Sequence, residues 1–284
     1  MNKQEILNII IRHCKALKMK PDKKGYVKTY EENLIQIFDN WKEIKKELGE
    51  GQGGELIPDK KGLIKFNAVH SSSALGVNNF ATFKKDHQNF KFLNYSDFTE
   101  ISFEKKLSTR ISTPNLDFYI ETKYEIIGFE SKFTEYLSPK FPNYDKNLDK
   151  YLHHSKLDYL PKSYHDDLIK HYVNSPNKLH LDVAQLIKHG IGIIHKAQSK
   201  YNFMLNALIT QPVLVYIYWQ PSNWYNFEIF RKHADEIEEF RKLVQPFLTF
   251  ISLSYLDFWK AYENDRLFGA HIEKVKERYL IELK

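Results

Sequence analysis

Two carboxylates and a lysine are the residues of this chain whose types and spacing could support chemistry. Glu130 and Lys132 stand two positions apart on one predicted strand, so both side chains leave the same face of it. Asp117 lies near the start of the preceding predicted strand. If these two strands form a hairpin, the two carboxylates and the ammonium group converge at one end of it.

The register of this hairpin decides which residues meet. Only three residues separate the two predicted strands, a spacing typical of a hairpin. Pairing across that turn sets Glu121 opposite Glu125. Asp117 then lies opposite Phe129, adjacent to Glu130.

Such a group suits the hydrolysis of a phosphate ester with the help of a metal ion. Carboxylates supply the hard oxygen ligands that Mg²⁺ prefers. A bound ion lowers the pKa of a coordinated water and stabilises charge on the scissile phosphate. The lysine could orient that water, help to deprotonate it, or neutralise the charge that develops.

The acidic-x-Lys spacing is weak evidence by itself, because it occurs seven times in the chain. Glu130 and Lys132 differ from the other instances because they end an apolar strand, residues 126–129, where a charge is uncommon without a reason. The alternative interpretation is a structural salt bridge at a strand edge.

The elements that must position these residues follow from the hydrophobic pattern. Residues 138–178 hold four prolines among many Tyr, Lys and His and predict an irregular insertion with short helices. The glycine-rich segment 49–54 predicts a loop, and no Gly-Lys-Ser/Thr follows it as in a P-loop. Strands are predicted at 101–107, 116–121, 125–131, 213–219 and 247–253, and helices at 4–18, 29–48, after Ser71–Ser73, at 181–197, 225–243 and 255–262, and in the charged tail from 273.

This order predicts an α/β fold with a mixed central β-sheet flanked by helices, and an N-terminal helical extension. The predicted organisation is a helical region over residues 1–48 and a domain over residues 49–284, with 138–178 as its insertion. A length of 284 residues suits one large domain with such an extension.

Composition limits the class of protein. The chain is 42% hydrophobic and 27% charged, which excludes general disorder. A single cysteine excludes an internal disulfide framework, and neither a signal peptide nor a membrane span is apparent, so we expect a cytoplasmic protein with no membrane association. The net charge of +6 fits a polyanionic partner, although a Lys-rich composition alone could produce it.

These residues carry a resemblance to the PD-(D/E)xK nuclease superfamily, which includes many type II restriction endonucleases. The pattern Asp117…Glu130-Ser131-Lys132 and the strand order resemble that fold's core, although the nominal Pro-Asp pair is interrupted because Pro114 is displaced and Asn115 follows it. More of the chain, about residues 50–220, is similar to a group of bacterial restriction endonucleases. The similar stretches are Gly51–Leu56, His70–Asn78, Phe103-Glu104, Pro114–Asp117, Glu130–Lys132 with Tyr136-Leu137, and Gln185–His189.

The resemblance implies roles for individual residues. Asp117 and Glu130 would be metal ligands for Mg²⁺, for which Mn²⁺ could substitute, and Lys132 the catalytic lysine. A further acidic residue would come from a helix before the sheet, with Glu55 the first candidate and Glu104 the second.

The predicted helix over 181–197 carries a second element of the resemblance. Gln185 with His189 is similar to the family's Gln-x-x-x-Tyr element, and that helix would lie beside the active site. Helical spacing places Gln185, Lys188 and His189 on neighbouring faces, and an ordinary polar helix surface is the alternative.

His70 and Ser71 stand before a predicted helix, and we expect the helix N-terminus there to contact a phosphate. The lysines and tyrosines of 138–178 could also touch DNA, or form a solvated face.

The expected function is a Mg²⁺-dependent endodeoxyribonuclease acting on double-stranded DNA, of the type II restriction kind, in defence against foreign DNA. Cutting both strands requires two active sites, which favours a homodimer, and a cognate methyltransferase is a further expected partner. Alternatives are an exonuclease or repair nuclease of the same superfamily, a non-catalytic DNA-binding protein, and a helical interaction module built on residues 1–48.

Overall fold

The apolar runs after residue 100 form one five-stranded sheet in the computed structural model, which describes residues 1–51, 54–152, 155–201 and 212–284. Strand order follows the sequence: the first three strands are antiparallel neighbours, and the last three are parallel neighbours. The predicted mixed α/β sheet is confirmed. The strands are β1 Glu100–Lys106, β2 Asn115–Glu121, β3 Ile126–Lys132, β4 Val213–Tyr218 and β5 Thr249–Ser254.

Helices flank this sheet, as predicted. No helix of the described ranges is both long and apolar enough to cross a membrane. The helices are α1 Lys3–Ala16, α2 Trp41–Glu50, α3 Ser72–Lys85, α4 Asp149–Leu152, α5 Lys170–Val173, α6 Val183–Tyr201, α7 Glu228–Val244, α8 Tyr255–Tyr262 and α9 Gly269–Tyr279.

Two hydrophobic clusters cover the two faces of the sheet. In the first, α1, α2, α3, α8 and α9 pack against residues such as Phe118 and Phe129. Phe80 of α3 stacks on Phe118 with ring centroids 4.4 Å apart. In the second, α6, α7 and the insertion pack against the opposite face, which includes Tyr119 and Tyr216.

Gly128 allows α6 to lie close to the sheet beside the candidate site. A Cβ at this position would lie 2.7 Å from Ile193 Cδ1 of α6 and 2.5 Å from Leu116 Cδ1. Both distances are shorter than a carbon–carbon contact, so a side chain would push α6 away. The glycine therefore fixes the depth at which the polar residues of α6 meet β3.

Residues 138–178 form the irregular insertion that the sequence predicts. It contains α4 and α5, a π-helical segment at Tyr164–Ile169, and short 3₁₀ turns. Its start is tied to its end by two backbone hydrogen bonds, each 2.8 Å long, between Lys140 and Leu179.

The helix predicted over 29–48 is wrong in its first half. The structure has a 3₁₀ turn at Glu31–Asn33, and the α-helix begins at Trp41. Asn33 is buried, and its amide donates to the carbonyl groups of Phe66 and Ala68 at 2.6 and 2.8 Å. These long-range hydrogen bonds override the local helical pattern.

The glycine-rich segment is helical at its start, because α2 continues through Gly49 and Glu50; Gln52 and Gly53 lie outside the described residues. Residues 1–48 share the first cluster with the sheet, through side chains such as Ile6, Ile10 and Ile44. The domain boundary at residue 48 stays a prediction.

Candidate active site

The hairpin that joins β2 and β3 forms as predicted, but its register differs by one residue. Glu121 pairs with Ile126 instead of Glu125, and Phe118 pairs with Phe129. The cause lies in the turn, where the Thr122 hydroxyl accepts hydrogen bonds from two backbone N–H groups, at 2.8 and 3.0 Å, and shortens the loop to two residues. Asp117 therefore lies opposite Glu130 rather than opposite Phe129.

Three carboxylates lie in one row across three neighbouring strands. Phe103 pairs with Phe118 and Lys105 with Leu116, so Glu104 of β1 falls opposite Asp117 of β2. Asp117 in turn falls opposite Glu130 of β3. Neighbouring strands are roughly 4.8 Å apart, so the three acidic residues are close enough to repel one another.

Glu104 is held in an unusual backbone conformation. Its φ is +50°, a left-handed value that is uncommon for a residue with a side chain. Asn115 Nδ2 donates to Glu104 Oε2 at 3.2 Å. Burial and the charges of Glu55 and Glu130 raise the pKa of Glu104 to about 7.

Gly51 lies directly against Glu104. A Cβ at Gly51 would stand 2.8 Å from Glu104 Oε2 and 3.0 Å from Glu104 Cβ. The glycine-rich segment therefore has a contact role here: its lack of a side chain leaves room for the Glu104 carboxylate.

Asp117 is fixed across the hairpin. Its Oδ2 accepts a hydrogen bond of 2.7 Å from the backbone N–H of Ser131. Burial, and next the charge of Glu130, raise the pKa of Asp117 well above its ordinary value. Asp117 is thus a rigidly held carboxylate in an environment that disfavours its negative charge.

Glu130, Lys132 and His189 form a buried charged group. Lys132 Nζ lies 2.5 Å from Glu130 Oε1, and His189 Nδ1 lies 3.0 Å from Glu130 Oε2. Burial alone would raise the pKa of Glu130, but Lys132 and then His189 hold it below its ordinary value. Burial likewise opposes the charge of Lys132, yet the carboxylates of Glu130, Glu135 and Asp117 raise its pKa above the ordinary value. Lys132 is therefore an ammonium ion in this arrangement.

Helix α6 brings two of the three predicted polar residues into contact with this group. Gln185 Oε1 accepts a hydrogen bond of 2.8 Å from Lys132 Nζ, and His189 contacts Glu130 as described above. Lys188 is half-buried and lines an open cleft together with Asp117 and Glu104. Burial, and next the charge of Lys150, lower the pKa of Lys188.

Glu55 reaches the cleft from a turn rather than from a helix. It follows α2 and lines the cleft with Glu104 and Asp117, and its Oε1 lies 3.4 Å from Lys65 Nζ. Glu104 lies on β1, so neither candidate for the further acidic residue lies on the helix that the resemblance implied.

His70 and Ser71 lie in a second compartment that shares Asp117 and Gln185 with the cleft. Ser71 caps α3 as predicted, because its Oγ accepts from the backbone N–H of Ala74 at 3.2 Å. Burial lowers the pKa of His70. The phosphate contact expected at this helix N-terminus stays a prediction.

Several partners of these residues could not be predicted from sequence pattern. Asn115 is the hydrogen-bond donor to Glu104, although in the sequence it stood out only as an interruption of the Pro-Asp pair. Glu135 accepts hydrogen bonds from the backbone of Phe133 and Thr134 and from the Ser72 hydroxyl, which joins the end of β3 to the start of α3. Pairings between elements so far apart in the chain leave no periodic pattern.

The residues of the row fit a divalent cation as partial ligands. Among the described residues, no group of three His, Cys, Asp or Glu side chains could hold a metal ion by itself. Both carboxylate oxygens of Glu130 are buried, and their contacts within the same residues are the ion pairs with Lys132 and His189. Mg²⁺ typically takes one or two carboxylates and completes its shell with water and substrate oxygens, so the donor set suits that ion.

Comparison with known families gives a match over nearly the whole chain. The model of the family described as "restriction endonuclease associating with ARP" matches residues 11–280. The chain belongs to this family. The comparisons found no matching curated protein and no matching solved structure.

Membership establishes a restriction endonuclease family, and hence a nuclease, as the class of this chain. The mixed five-stranded sheet with its flanking helices is the restriction-endonuclease-like architecture that the sequence predicts. The match spans α2, the whole sheet and all of α9, so the row of carboxylates lies within it.

Proposed function

We propose that this chain is a Mg²⁺-dependent endodeoxyribonuclease of the PD-(D/E)xK type, acting as a type II restriction enzyme against foreign double-stranded DNA. The observation that carries the proposal is the row formed by Glu104, Asp117 and Glu130, with Lys132 beside it. A structural salt bridge would account for Glu130 and Lys132 alone. It would not account for two further half-buried carboxylates next to them.

Such a row is costly without a positive ligand. Buried carboxylates lose hydration, and like charges at neighbouring positions repel one another. One ammonium group cannot offset three carboxylates, and the pKa values of Glu104 and Asp117 are raised accordingly. Strongly shifted pKa values in a cleft are typical of functional sites.

Asp117 and Glu130 would hold the metal ion, and Glu104 lies near enough to contribute. Mn²⁺ has similar ligand preferences and would substitute for Mg²⁺. When bound, the ion supplies a water of lowered pKa and stabilises charge on the phosphate.

The other residues act through position and charge. Lys132, held as an ammonium ion by Glu130 and by Gln185, donates to oxygens on the phosphate or to the attacking water. His189 fixes the side chain of Glu130 from the other side, and Ser131 fixes Asp117. Glu55 and the half-buried Lys188 border the cleft through which DNA would enter.

Two lysines in the same cleft favour a negatively charged partner. Lys188 and Lys150 both line it, and their mutual repulsion would be relieved by a phosphate between them. The proposed substrate is double-stranded DNA. Cleavage of both strands would use a homodimer, and a cognate methyltransferase would protect host sites.

Plasmid cleavage tests the proposal directly. We expect the wild-type protein to give discrete DNA fragments with Mg²⁺ or Mn²⁺ and none with EDTA. Lys132→Ala should abolish cleavage, but it leaves Glu130 buried without its ammonium partner, at a cost of roughly 3–5 kcal/mol.

Asp117→Asn is therefore the second variant. An asparagine can still accept the hydrogen bond from Ser131, so the fold should remain while cleavage is lost. Circular dichroism and DNA binding in Ca²⁺ check that both variants are folded.

Three results would contradict the proposal. Cleavage that persists in folded Lys132→Ala and Asp117→Asn proteins would place the active site elsewhere. Absence of cleavage on both unmodified and modified DNA would indicate a non-catalytic DNA-binding protein. Progressive loss of linear DNA alone, without discrete fragments, would indicate an exonuclease.

A further inference from the structure

A small cavity lies beside the candidate active site, between the end of β3 and the insertion. Its volume is about 190 Å³, and we call it the side cavity. It shares Lys132 and Gln185 with the active site. Its other lining residues include Tyr136, Ser138, Lys140, Tyr144, Asp182 and Tyr216.

The walls of the side cavity are held in place before any ligand binds. Two backbone hydrogen bonds join Lys140 to Leu179 across its rim. The Tyr136 ring stacks on His233 with centroids 4.0 Å apart, and its hydroxyl donates to the Trp219 carbonyl. The Tyr136 carbonyl lies 2.7 Å from His180 Nδ1. A cavity with such supports is preformed rather than a gap between mobile segments.

Its size limits the ligand. Pockets for drug-sized molecules have volumes of roughly 300–1,000 Å³. A space of about 190 Å³ is too small for a whole nucleotide with its sugar and phosphate, but it suits one flat ring system.

Its chemistry suits the same class of ligand. Tyr144 of the lining is half-buried and offers an aromatic ring for stacking with a planar ligand, while Tyr136 and Tyr216 are buried behind it. Asp182 Oδ2 lies 3.6 Å from Lys140 Nζ, so an acceptor and a donor stand side by side. Gln185 already accepts from Lys132 through Oε1, which leaves its amide nitrogen to donate. A nucleobase edge carries the complementary mixture of donors and acceptors.

We infer that the side cavity binds one extrahelical nucleobase of the DNA substrate, from a nucleotide next to the scissile phosphate. This inference rests on the proposed nuclease function. The base and the phosphate would belong to adjacent parts of one strand because Lys132 and Gln185 border both sites. Extrusion of a base costs a few kcal/mol of unstacking and unpairing, which contacts in the cavity would offset.

Fluorescence of 2-aminopurine tests this inference. Duplexes are centred on the cleavage position mapped from plasmid products, and 2-aminopurine replaces each base within two nucleotides of the scissile phosphate in turn. Ca²⁺ replaces Mg²⁺ so that the DNA is bound intact. We expect a several-fold rise in fluorescence at one position, because the probe leaves the base stack.

Ser138→Trp is the variant that fills the cavity. Ser138 is exposed at the rim, so the larger side chain should not disturb folding. It should abolish the fluorescence rise while DNA binding, measured by anisotropy, remains detectable. Tyr225→Trp introduces the same side chain at an exposed position outside the cavity and should leave the rise unchanged.

The failure of this inference is distinguishable from the failure of the proposed function. A wild-type protein that cleaves DNA but raises the fluorescence at no position would overturn the inference alone. A rise that persists in Ser138→Trp would also overturn it, because the base would lie elsewhere. A protein that neither binds nor cleaves DNA would overturn both.

Discussion

Glu104 has a left-handed backbone conformation and lies close to Gly51. Together these two features fix one end of the carboxylate row. The strained φ costs of order 1–3 kcal/mol, a cost that persists only where surrounding contacts enforce it. Here Asn115 and Gly51 supply those contacts. The position of Glu104 is therefore set by residues from two other segments of the chain.

Gly51→Ala should displace Glu104. The new Cβ would lie 2.8 Å from the carboxylate, so the side chain must move away. Since small misplacements near an active site can cost as much as about a hundredfold in rate, we expect a loss of roughly tenfold in the cleavage rate. DNA affinity in Ca²⁺ should change little.

Gly49→Ala is the matched control for this prediction. A Cβ there meets nothing within 4 Å, and the position is helical, so alanine should stabilise α2 by about 1 kcal/mol. Equal cleavage by Gly51→Ala and Gly49→Ala would show that Glu104 does not serve the reaction.

Glu104→Gln should stabilise the metal-free protein while it impairs cleavage. The substitution removes a negative charge from the row, and the glutamine can still accept from Asn115. We expect a gain of about 1 kcal/mol in the free energy of unfolding, as is common when unfavourable interactions at a functional site are removed. Urea unfolding in EDTA measures it.

Glu121→Gln is the matched control on the same sheet, because we expect it to change the free energy of unfolding in the opposite direction. Although burial opposes its charge, Lys200 and Tyr119 hold the pKa of Glu121 below its ordinary value, so this carboxylate is stabilised as an anion. Its loss should destabilise the fold. If Glu104→Gln and Glu121→Gln lowered the free energy of unfolding alike, charge repulsion in the row would not be destabilising the metal-free protein.

The residues at this scale were only partly predictable from the sequence. Asp117, Glu130 and Lys132 could be brought together because strand period and hairpin pairing are local rules. Glu104 is only the second candidate for the further acidic residue, because no local sequence feature indicates its left-handed φ. The role of Asn115 depends on β1 and β2 being neighbours, which the residue types alone do not reveal.

At the scale of elements, the sheet could be predicted and the turns could not. Strand positions follow from apolar period and fell within one or two residues of the observed bounds. The β2–β3 register depended on the Thr122 hydroxyl, and the break before α2 depended on Asn33 reaching Phe66 and Ala68. Side-chain hydrogen bonds to the backbone determine the register and the start of the helix, and the hydrophobic pattern does not predict these bonds.

The contact of α7 with the sheet should make stability depend on pH. His233 of α7 is buried, with Nε2 2.9 Å from the Tyr216 hydroxyl of β4. Burial, with a smaller contribution from His180, lowers the pKa of His233 from 6.5 to about 3. Below pH 6.5 the unfolded chain takes up a proton that the folded chain does not, so stability is lost as the pH falls from 6.5 towards 3.

Comparison with His233→Phe isolates this effect. The variant lacks the titrating ring, so the difference in unfolding free energy between the two proteins should change by as much as about 1.4 kcal/mol per pH unit below 6.5. Urea unfolding at pH 7.5, 6.5 and 5.5 measures it. Glu236, whose pKa burial raises to about 7, contributes with the opposite sign in both proteins. Parallel pH profiles would show that His233 is protonated in the folded state.

At the scale of the whole molecule, residues 1–48 share a hydrophobic cluster with the sheet. The sequence predicts a separate helical region, and an interaction module was one alternative for it. The structure places its buried residues in the same cluster as the core of the sheet, including Ile6, Ile10, Ile44 and Leu48. Polar contacts join the same parts: Arg278 Nη2 of α9 donates to Asn33 Oδ1 at 2.8 Å, and His13 Nε2 lies 3.0 Å from the Glu277 carbonyl.

Deletion of residues 1–48 should therefore abolish cooperative folding rather than release an independent domain. The deletion would expose the apolar surface of α3 and α9 that α1 and α2 cover, and truncation of a single large buried side chain already costs roughly 2–5 kcal/mol. Since a domain is stable by only about 5–15 kcal/mol, losing several such side chains exceeds the margin. Near-ultraviolet circular dichroism and thermal unfolding of residues 49–284 measure this. A cooperative transition together with retained DNA cleavage would instead establish two domains, and would leave the first 48 residues free to act as a separate binding module.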